Sequence, residues 1–516
     1  MGEARYRFAP HPSSGFLLGL RIGQLAGFIL TGAVALAALR LGGLGGLALA
    51  LALLAAAALV LLAPVRGRTL EQWAPVTVRF LLARYSSRAR FDSQRAQLGH
   101  VVRLPGGELD PQPPDPAWSL PGELADLEFF EGQLVAYQGA RFGVVKDVRA
   151  RTFTAAVNVR GRAFALLAAG EREQRLQDYG AVLSALARDD SPVRRIAWVE
   201  RTLPGDGDEL GDYLLEAKRP DVALADPPEE LVSYLQLIGR AGDVAEEHEL
   251  TFALQVDATR PAARRAIGRM GGGDLGALAV LAGELGQLIE LLDRATITPT
   301  GVLTRRGLAA QIRDAYDPWG RRGRQRQLDR SLHAHTGIAP HTAGPCARSE
   351  NWGHMAADGA LHCTLWAAEW PRIDVRALFL QPLLMASQTT RTIAMCMELV
   401  GPGKAIRQAE RAATETATEQ SLRMRVGQRT SQRQSQRDQA TSQRERELAE
   451  GHAAVRYASY VTVSVPWGDP QALAELEADV SRVELEAKRA PLRLERMWGQ
   501  QAEAFTYTLP LCRGLR

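Results

Sequence analysis

Apolar positions crowd into the first 65 residues, and the rest of the chain alternates between polar and apolar like a water-facing protein. Ile22–Leu39 carries no charge over 18 residues; after Arg40, Leu41–Val65 adds 25 more uncharged residues. A bilayer core takes about 20 apolar residues per helix, so the pattern predicts a transmembrane hairpin with helices at about 17–39 and 43–64. No small-residue cleavage site follows a short apolar core, so the segment is expected to be retained. Arg5, Arg7 and Arg21 precede the first span, Arg66, Arg68 and Arg79 follow the second, and the turn holds only Arg40. Positive charge on both outer flanks predicts a multi-pass protein of the cell's inner (cytoplasmic) membrane with both termini in the cytoplasm.

Gly15, Gly19, Gly23 and Gly27 recur every fourth position along one face of the first span. Glycine inside a water-exposed helix costs about 1 kcal/mol relative to alanine, but in lipid small residues at this spacing let helices approach closely. The stripe is expected to pack on the second arm of the hairpin or on another membrane protein. The segment 70–90 mixes Trp73, Phe80, Leu81 and Leu82 with arginines and reads as an interfacial helix. It closes a membrane anchor spanning 1–95.

Beyond a Pro-rich loop at 109–123, period-two and helical patterns alternate. Strands are expected at 142–148 and 152–160, the second with Phe153, Ala155, Val157 and Val159 on one face. A helix at 171–188, a strand at 194–203, helices at 208–218 and 228–247, a strand at 250–257 and a leucine-rich helix at 274–294 follow. These make a first cytoplasmic α/β domain, 96–320, and a basic linker, 321–345, comes next. The last part, 346–516, reads as strand 361–369, helix 373–386, strand 391–400, strand 460–465, helix 469–488 and strand 504–511. That β-α-β-β-α-β order predicts a ferredoxin-like second cytoplasmic domain. A polar stretch, 404–452, replaces its central turn; rich in good helix formers, it predicts a projecting helical arm broken at Gly427. The expected class is α+β throughout.

Total charge changes little in this picture: 516 residues carry a net +4, too balanced to dictate a nucleic-acid partner. Local charge matters more. Arg321, Arg322 and Arg324 in the linker, and the i,i+4 stripe Arg425, Arg429, Arg433 and Arg437 in the arm, are the candidates for contact with a partner or nucleic acid, against a default of solvated charge. The four cysteines are widely spaced and fit free thiols in a reducing compartment. Gly401-Pro-Gly-Lys404 imitates the end of a phosphate loop, but Glu398 stands where its first glycine belongs and Ala405 where its hydroxyl belongs. His333, His335, His341 and Cys346 cluster without a zinc-ligand spacing. No catalytic, cofactor-binding or metal-ligating residue is identified, no cofactor is expected, and the chain is expected not to be an enzyme.

The stretches SGFLLGLRIGQLAG, APVRGRTLEQWAPV (63–76), FGVVKDVRARTFTAAVNV (142–159), GVLTRRGLAAQIRDAYDP (301–318), ERELAEGH (445–452) and GQQAEAFTYTLPLCRGLR (499–516) resemble an actinobacterial family of integral membrane proteins. That family is similar to the PrgI-like inner-membrane subunit of type IV secretion (conjugation) fused to a domain like the N-terminal part of the secretion ATPase. The hairpin followed by a cytoplasmic body also resembles EccE of the type VII (ESX) translocon. The resemblance implies a non-catalytic scaffold subunit of a secretion or conjugative-transfer apparatus. Its partners would be membrane lipids, other subunits of the machine and a separate hexameric ATPase. The alternative is a membrane-tethered nucleic-acid-binding protein using the arginine-rich linker and arm. A homo-oligomer stays open.

Overall fold

A computed structural model of the chain describes residues 22–93, 120–204, 229–321, 337–411 and 453–515, apart from gaps of one to three residues within them. The N-terminal apolar stretch is helical from Ile22 to Leu62 (α1). A straight helix would set Gln24 and Leu61 about 55 Å apart at 1.5 Å per residue. Instead Gln24 Nε2 donates to the Leu61 carbonyl at 2.8 Å, so α1 doubles back on itself. The reversal lies between Ala38 and Gly46, because a Cβ on Gly46 would collide with the Ala38 carbonyl oxygen. Two short strands, β1 (Pro64–Val65) and β2 (Arg68–Thr69), then pair antiparallel and turn the chain into α2 (Leu70–Tyr85). Gln72 Oε1 accepts from the Thr69 N–H at 3.1 Å and secures that helix start.

The remaining strands form one 13-stranded sheet. They are β3 (Arg90–Asp92), β4 (Leu127–Leu134), β5 (Ala140–Asp147), β6 (Thr152–Arg160), β7 (Val193–Pro204), β8 (Glu246–Asp257) and β9 (Thr298–Val302), then β10 (Ala347–Glu350), β11 (Met355–Ala357), β12 (Ala360–Glu369), β13 (Thr390–Val400), β14 (Ala454–Pro466) and β15 (Arg493–Arg496). Every ladder is antiparallel. β7 and β13 pair side by side, Arg391 opposite Thr202 and Glu398 opposite Arg195. Outward from that pair the two halves repeat each other. One side runs β7, β8, β6, β5, β4 with β9 also on β6; the other runs β13, β14, β12, β11, β10 with β15 also on β12. In chain order each half is a hairpin, then strand, helix, two strands, helical segment and strand, then a helix.

The helices follow the same duplication. α3 (Ala169–Leu186) joins β6 to β7, and α8 (Gln381–Leu384) lies between β12 and β13. α5 (Pro261–Arg269) and α6 (Gly273–Arg294) lie between β8 and β9, and α9 (Ala472–Arg489) between β14 and β15. α4 (Glu229–Gly242) belongs to the insertion after β7. All but α4 cover one face of the sheet. Val182, Leu186, Leu281, Leu285 and Leu288 pack on Phe153, Val157, Leu254 and Met397, while Leu476, Val480 and Val483 pack on Cys363, Ile393 and Val461. Trp198 and Met395 border both clusters, which places them on one face. The intervening residues point the other way, as a period of two requires. Ala156, Ala197, Ala253 and Cys396 meet α7 (Arg305–Tyr316), α10 (Gln501–Phe505) and the C-terminal residues Leu509, Leu511 and Cys512. Small side chains at the sheet centre let this second layer sit close.

Several expected elements are corrected. The expected strand 504–511 is α10 followed by a tight turn, Thr506–Thr508, and the outer strand of that half is β15. From Gln501 to Cys512 every residue except Glu503 is buried, so the alternation of that stretch reflects no solvent face. Its threonines are satisfied inside: Thr506 donates to the Glu503 carbonyl at 2.7 Å, and Thr508 bonds Thr462 at 3.0 Å. The expected helix 373–386 shrinks to the four residues of α8, with Pro382 in its first turn, because proline cannot sit in a helix interior without losing a hydrogen bond. Helix 228–247 ends at Gly242, and β8 begins by Glu246. The expected helix 208–218 lies outside the described residues, as does the arm, apart from Thr414, beyond the helical residues 402–411.

Candidate functional site: the hairpin, its clamp and the arm root

The hairpin presents apolar side chains to its surroundings. Ile29 and Leu30 are 64% and 69% exposed, and Val34, Leu36, Leu49, Leu51 and Leu59 are exposed as well. Among the described residues of the hairpin the inner line is covered: Gln24, Ala35, Gly46 and Ala50 are buried between the arms. Of the glycine stripe, Gly27 faces the second arm, where an added Cβ would come within 2.9 Å of Leu61, and Gly23 lies against Glu71 of α2. Gly15 and Gly19 lie outside the described residues.

α2 clamps the hairpin to the sheet. Its inner side carries Trp73, Val76 and Phe80, one helical turn apart. Trp73 and Phe80 stack on Trp352 in the β10–β11 turn, at 6.0 and 5.0 Å between ring centroids. Arg79 reaches Glu503 of α10 at 2.8 Å. Two glycines make room for the aromatic pair: a Cβ on Gly499 would press into Trp352 at 2.6 Å, and one on Gly353 into Trp498 at 2.7 Å. The outer side of α2 leaves Val78, Leu81, Leu82 and Tyr85 exposed.

The candidate arginines divide. Arg321 is engaged within the body, 2.5 Å from Glu249 and 3.8 Å from Asp314. Glu249 also holds Arg201 at 2.5 Å; burial pushes its carboxyl up, but Arg201 and Arg321 outweigh that and keep it below the usual range. Arg322, Arg324, Arg425, Arg429, Arg433 and Arg437 lie outside the described residues.

The glycines that imitate a phosphate loop serve an internal carboxylate. Gly403 N–H donates to Asp189 at 3.1 and 3.2 Å, at the start of the helical residues 402–411. A Cβ on Gly403 would come within 2.9 Å of that carboxylate, and one on Gly401 would strike it. Glu398, where the loop's first glycine belongs, is a β13 residue braced by Arg194 at 3.4 Å and Arg456 at 3.3 Å.

His362 is fully buried on the second face. Its Nε2 donates to the Tyr316 carbonyl at 3.0 Å, its Nδ1 faces Ser464 Oγ at 2.8 Å, and its ring packs on Phe505. Burial drives its pKa down to about 4, so the ring is neutral and braces the core. The Cys363 and Cys396 thiols are pushed up to about 12 by burial, which keeps them protonated. Among the described residues no three His, Cys, Asp or Glu side chains converge as metal ligands; His333 and His335 lie outside them. A scan of protein-family models finds no match to this chain, and no curated protein matches it.

Proposed function

We propose that this chain is a membrane-anchored scaffold: α1 crosses the inner membrane twice, α2 rests on the cytoplasmic surface, and the duplicated sheet presents a rigid body to partner subunits. The exposed apolar surface of α1, joined to the sheet through the Trp73–Trp352–Phe80 stack, is the observation that supports this reading. Both termini face the cytoplasm in this arrangement, following the arginine flanks. Each half of the body is read as a ferredoxin-like module. In support, the strand order β15-β12-β14-β13 places the fourth strand beside the first and the third between first and second, and β9-β6-β8-β7 does the same. On the resemblance of the quoted sequence stretches, we read the scaffold as part of a secretion or conjugative-transfer apparatus powered by a separate hexameric ATPase.

The test is fractionation followed by mild-detergent affinity purification and mass spectrometry. Retention in the membrane fraction and co-purification of a hexameric ATPase are expected. A chain that stays in the aqueous fraction without detergent overturns the anchor, and a lone monomer under gentle conditions overturns the scaffold.

A further inference from the structure

A cavity of about 420 Å³ opens where the arm leaves the sheet, within the size range of small-molecule sites. Its floor is apolar: Leu186, Val193 and Leu399 are all buried. Its rim carries four cations from three separate elements: Arg188 after α3, Arg260 before α5, and Lys404 and Arg407 on the arm root. Arg188 is committed, bonded to the Ala185 carbonyl at 2.9 Å and 3.5 Å from Glu284. Among the described residues Arg260, Lys404 and Arg407 make no ion pair. Among the described residues the one carboxylate on the rim, Asp189, is bound to the Gly403 amide, which therefore does not serve as the anion site itself.

We propose that this cavity binds a small phosphate-bearing anion through Arg260, Lys404 and Arg407. Like charges gathered on one rim repel each other, and a ligand with several negative oxygens relieves that repulsion while bonding all three. Arginine forks and a lysine point charge suit phosphoryl oxygens. No hydrolysis is involved, and the inference does not depend on the scaffold reading. Because two of the cations sit on the arm root and the third on the β8–α5 turn, the bound anion ties the exit of the arm to the first half of the sheet.

Calorimetric titration of the detergent-solubilised full chain with inorganic pyrophosphate tests this. Saturable binding is expected, weakened about tenfold by Arg260→Ala, Lys404→Ala or Arg407→Ala, since each removes a charge-assisted bond. Arg411→Ala, further along the same exposed helix, leaves it unchanged. Asp189→Asn tightens it by removing the competing charge while keeping an acceptor for the Gly403 amide. Thermal unfolding of each variant controls for folding. Sedimentation with phosphatidic acid vesicles distinguishes the source: binding to vesicles alone, lost in the same three variants, assigns the phosphate to a lipid headgroup. No binding of either probe, or equal affinity in all variants, overturns the proposal.

Discussion

Residues Gly23–Arg40 and Gly273–Arg294 have similar mean hydropathies, 1.4 and 1.6, yet 11% of the first stretch is buried and 50% of the second. Both are long and apolar enough to cross a bilayer. In α6 most apolar residues after the first turn fall on one face, where Leu281, Leu285, Leu288 and Leu292 reach zero exposure against the sheet, while Leu275 in the first turn and Glu290, Asp293 and Arg294 face outward. In α1 the apolar residues go all the way round, and the sheet covers none of Ile29, Leu30 or Val34. A helix apolar on every side and left uncovered has its environment supplied from outside the chain. Charge placement, not hydropathy, separates the two.

The largest effect comes from the core helix. Leu288→Ala is expected to destabilise the body by about 2–5 kcal/mol, as large-to-small changes in packed cores do. Leu30→Ala on the hairpin is expected to leave body stability within about 0.5 kcal/mol. Denaturant unfolding of the detergent-solubilised protein, followed by tryptophan fluorescence, measures both. Equal losses would erase the distinction. The reverse asymmetry is expected for membrane retention. Leu30→Arg disfavours insertion by about 3 kcal/mol if that position sits at mid-bilayer, so a reduced membrane fraction with an intact body is the outcome to look for.

The two regions also differ in their response to acid. The hairpin from Ile22 to Leu62 contains no Asp, Glu or His. The body contains His362, lowered from 6.5 to about 4 by burial. The unfolded chain binds the proton first as pH falls. His362's contribution is therefore complete above about 6.5 and is lost on descending toward 4, a loss of about 3 kcal/mol at 1.36 kcal/mol per pH unit. His362→Gln lowers the starting stability but flattens this part of the pH profile. An unchanged slope in that variant would move the acid response elsewhere in the body.

What was readable from sequence follows the same division between one-sided and all-round environments. β6 and β8 were legible because their apolar residues alternate: Phe153, Val157, Phe252 and Leu254 lie on the helix-covered face and Ala156 and Ala253 on the other, a true period of two. α6 was legible from its leucines. The duplication was not legible: the insertions after β7 and β13 differ in length, and α8 is far shorter than its counterpart α3. The β10–β11 hairpin is closed at its base by the Cys346 N–H donating to Asp358, and Arg348 pairs with Glu123 more than two hundred positions earlier, contacts that no periodicity reports. At the arm root, Gly401 and Gly403 imitate a phosphate loop without completing one, and the fold sets them against a carboxylate of the chain itself, which the sequence did not signal. The group is Asp189, more than two hundred positions away, and only the fold brings it there.

A smaller effect probes the reversal inside α1. Gly46→Leu places a side chain where the Ala38 carbonyl lies, and Gly27→Leu does so against Leu61. Overpacking of this kind costs about 1–3 kcal/mol. The arms are expected to part while the body stays folded, seen as lost cross-linking between cysteines placed at positions 24 and 61. Retained cross-linking would mean that the arms are held by something other than the close approach at these glycines.

The smallest expected effect decides how the two regions are joined. Arg79 is two-thirds exposed at its side chain, so its pair with Glu503 is worth about 0.5 kcal/mol after solvent screening. Trp352, by contrast, receives both Trp73 and Phe80 and fills the space left by Gly499. If α2 is held mainly by the aromatic stack, Arg79→Ala leaves hydrogen exchange in α2 nearly unchanged, whereas Trp352→Ala speeds it several-fold without unfolding the sheet. If the ion pair is the true latch, the order reverses and added salt mimics Arg79→Ala. The stack is the expected answer. Apolar contact is indifferent to ionic strength, whereas an exposed ion pair weakens as salt is added.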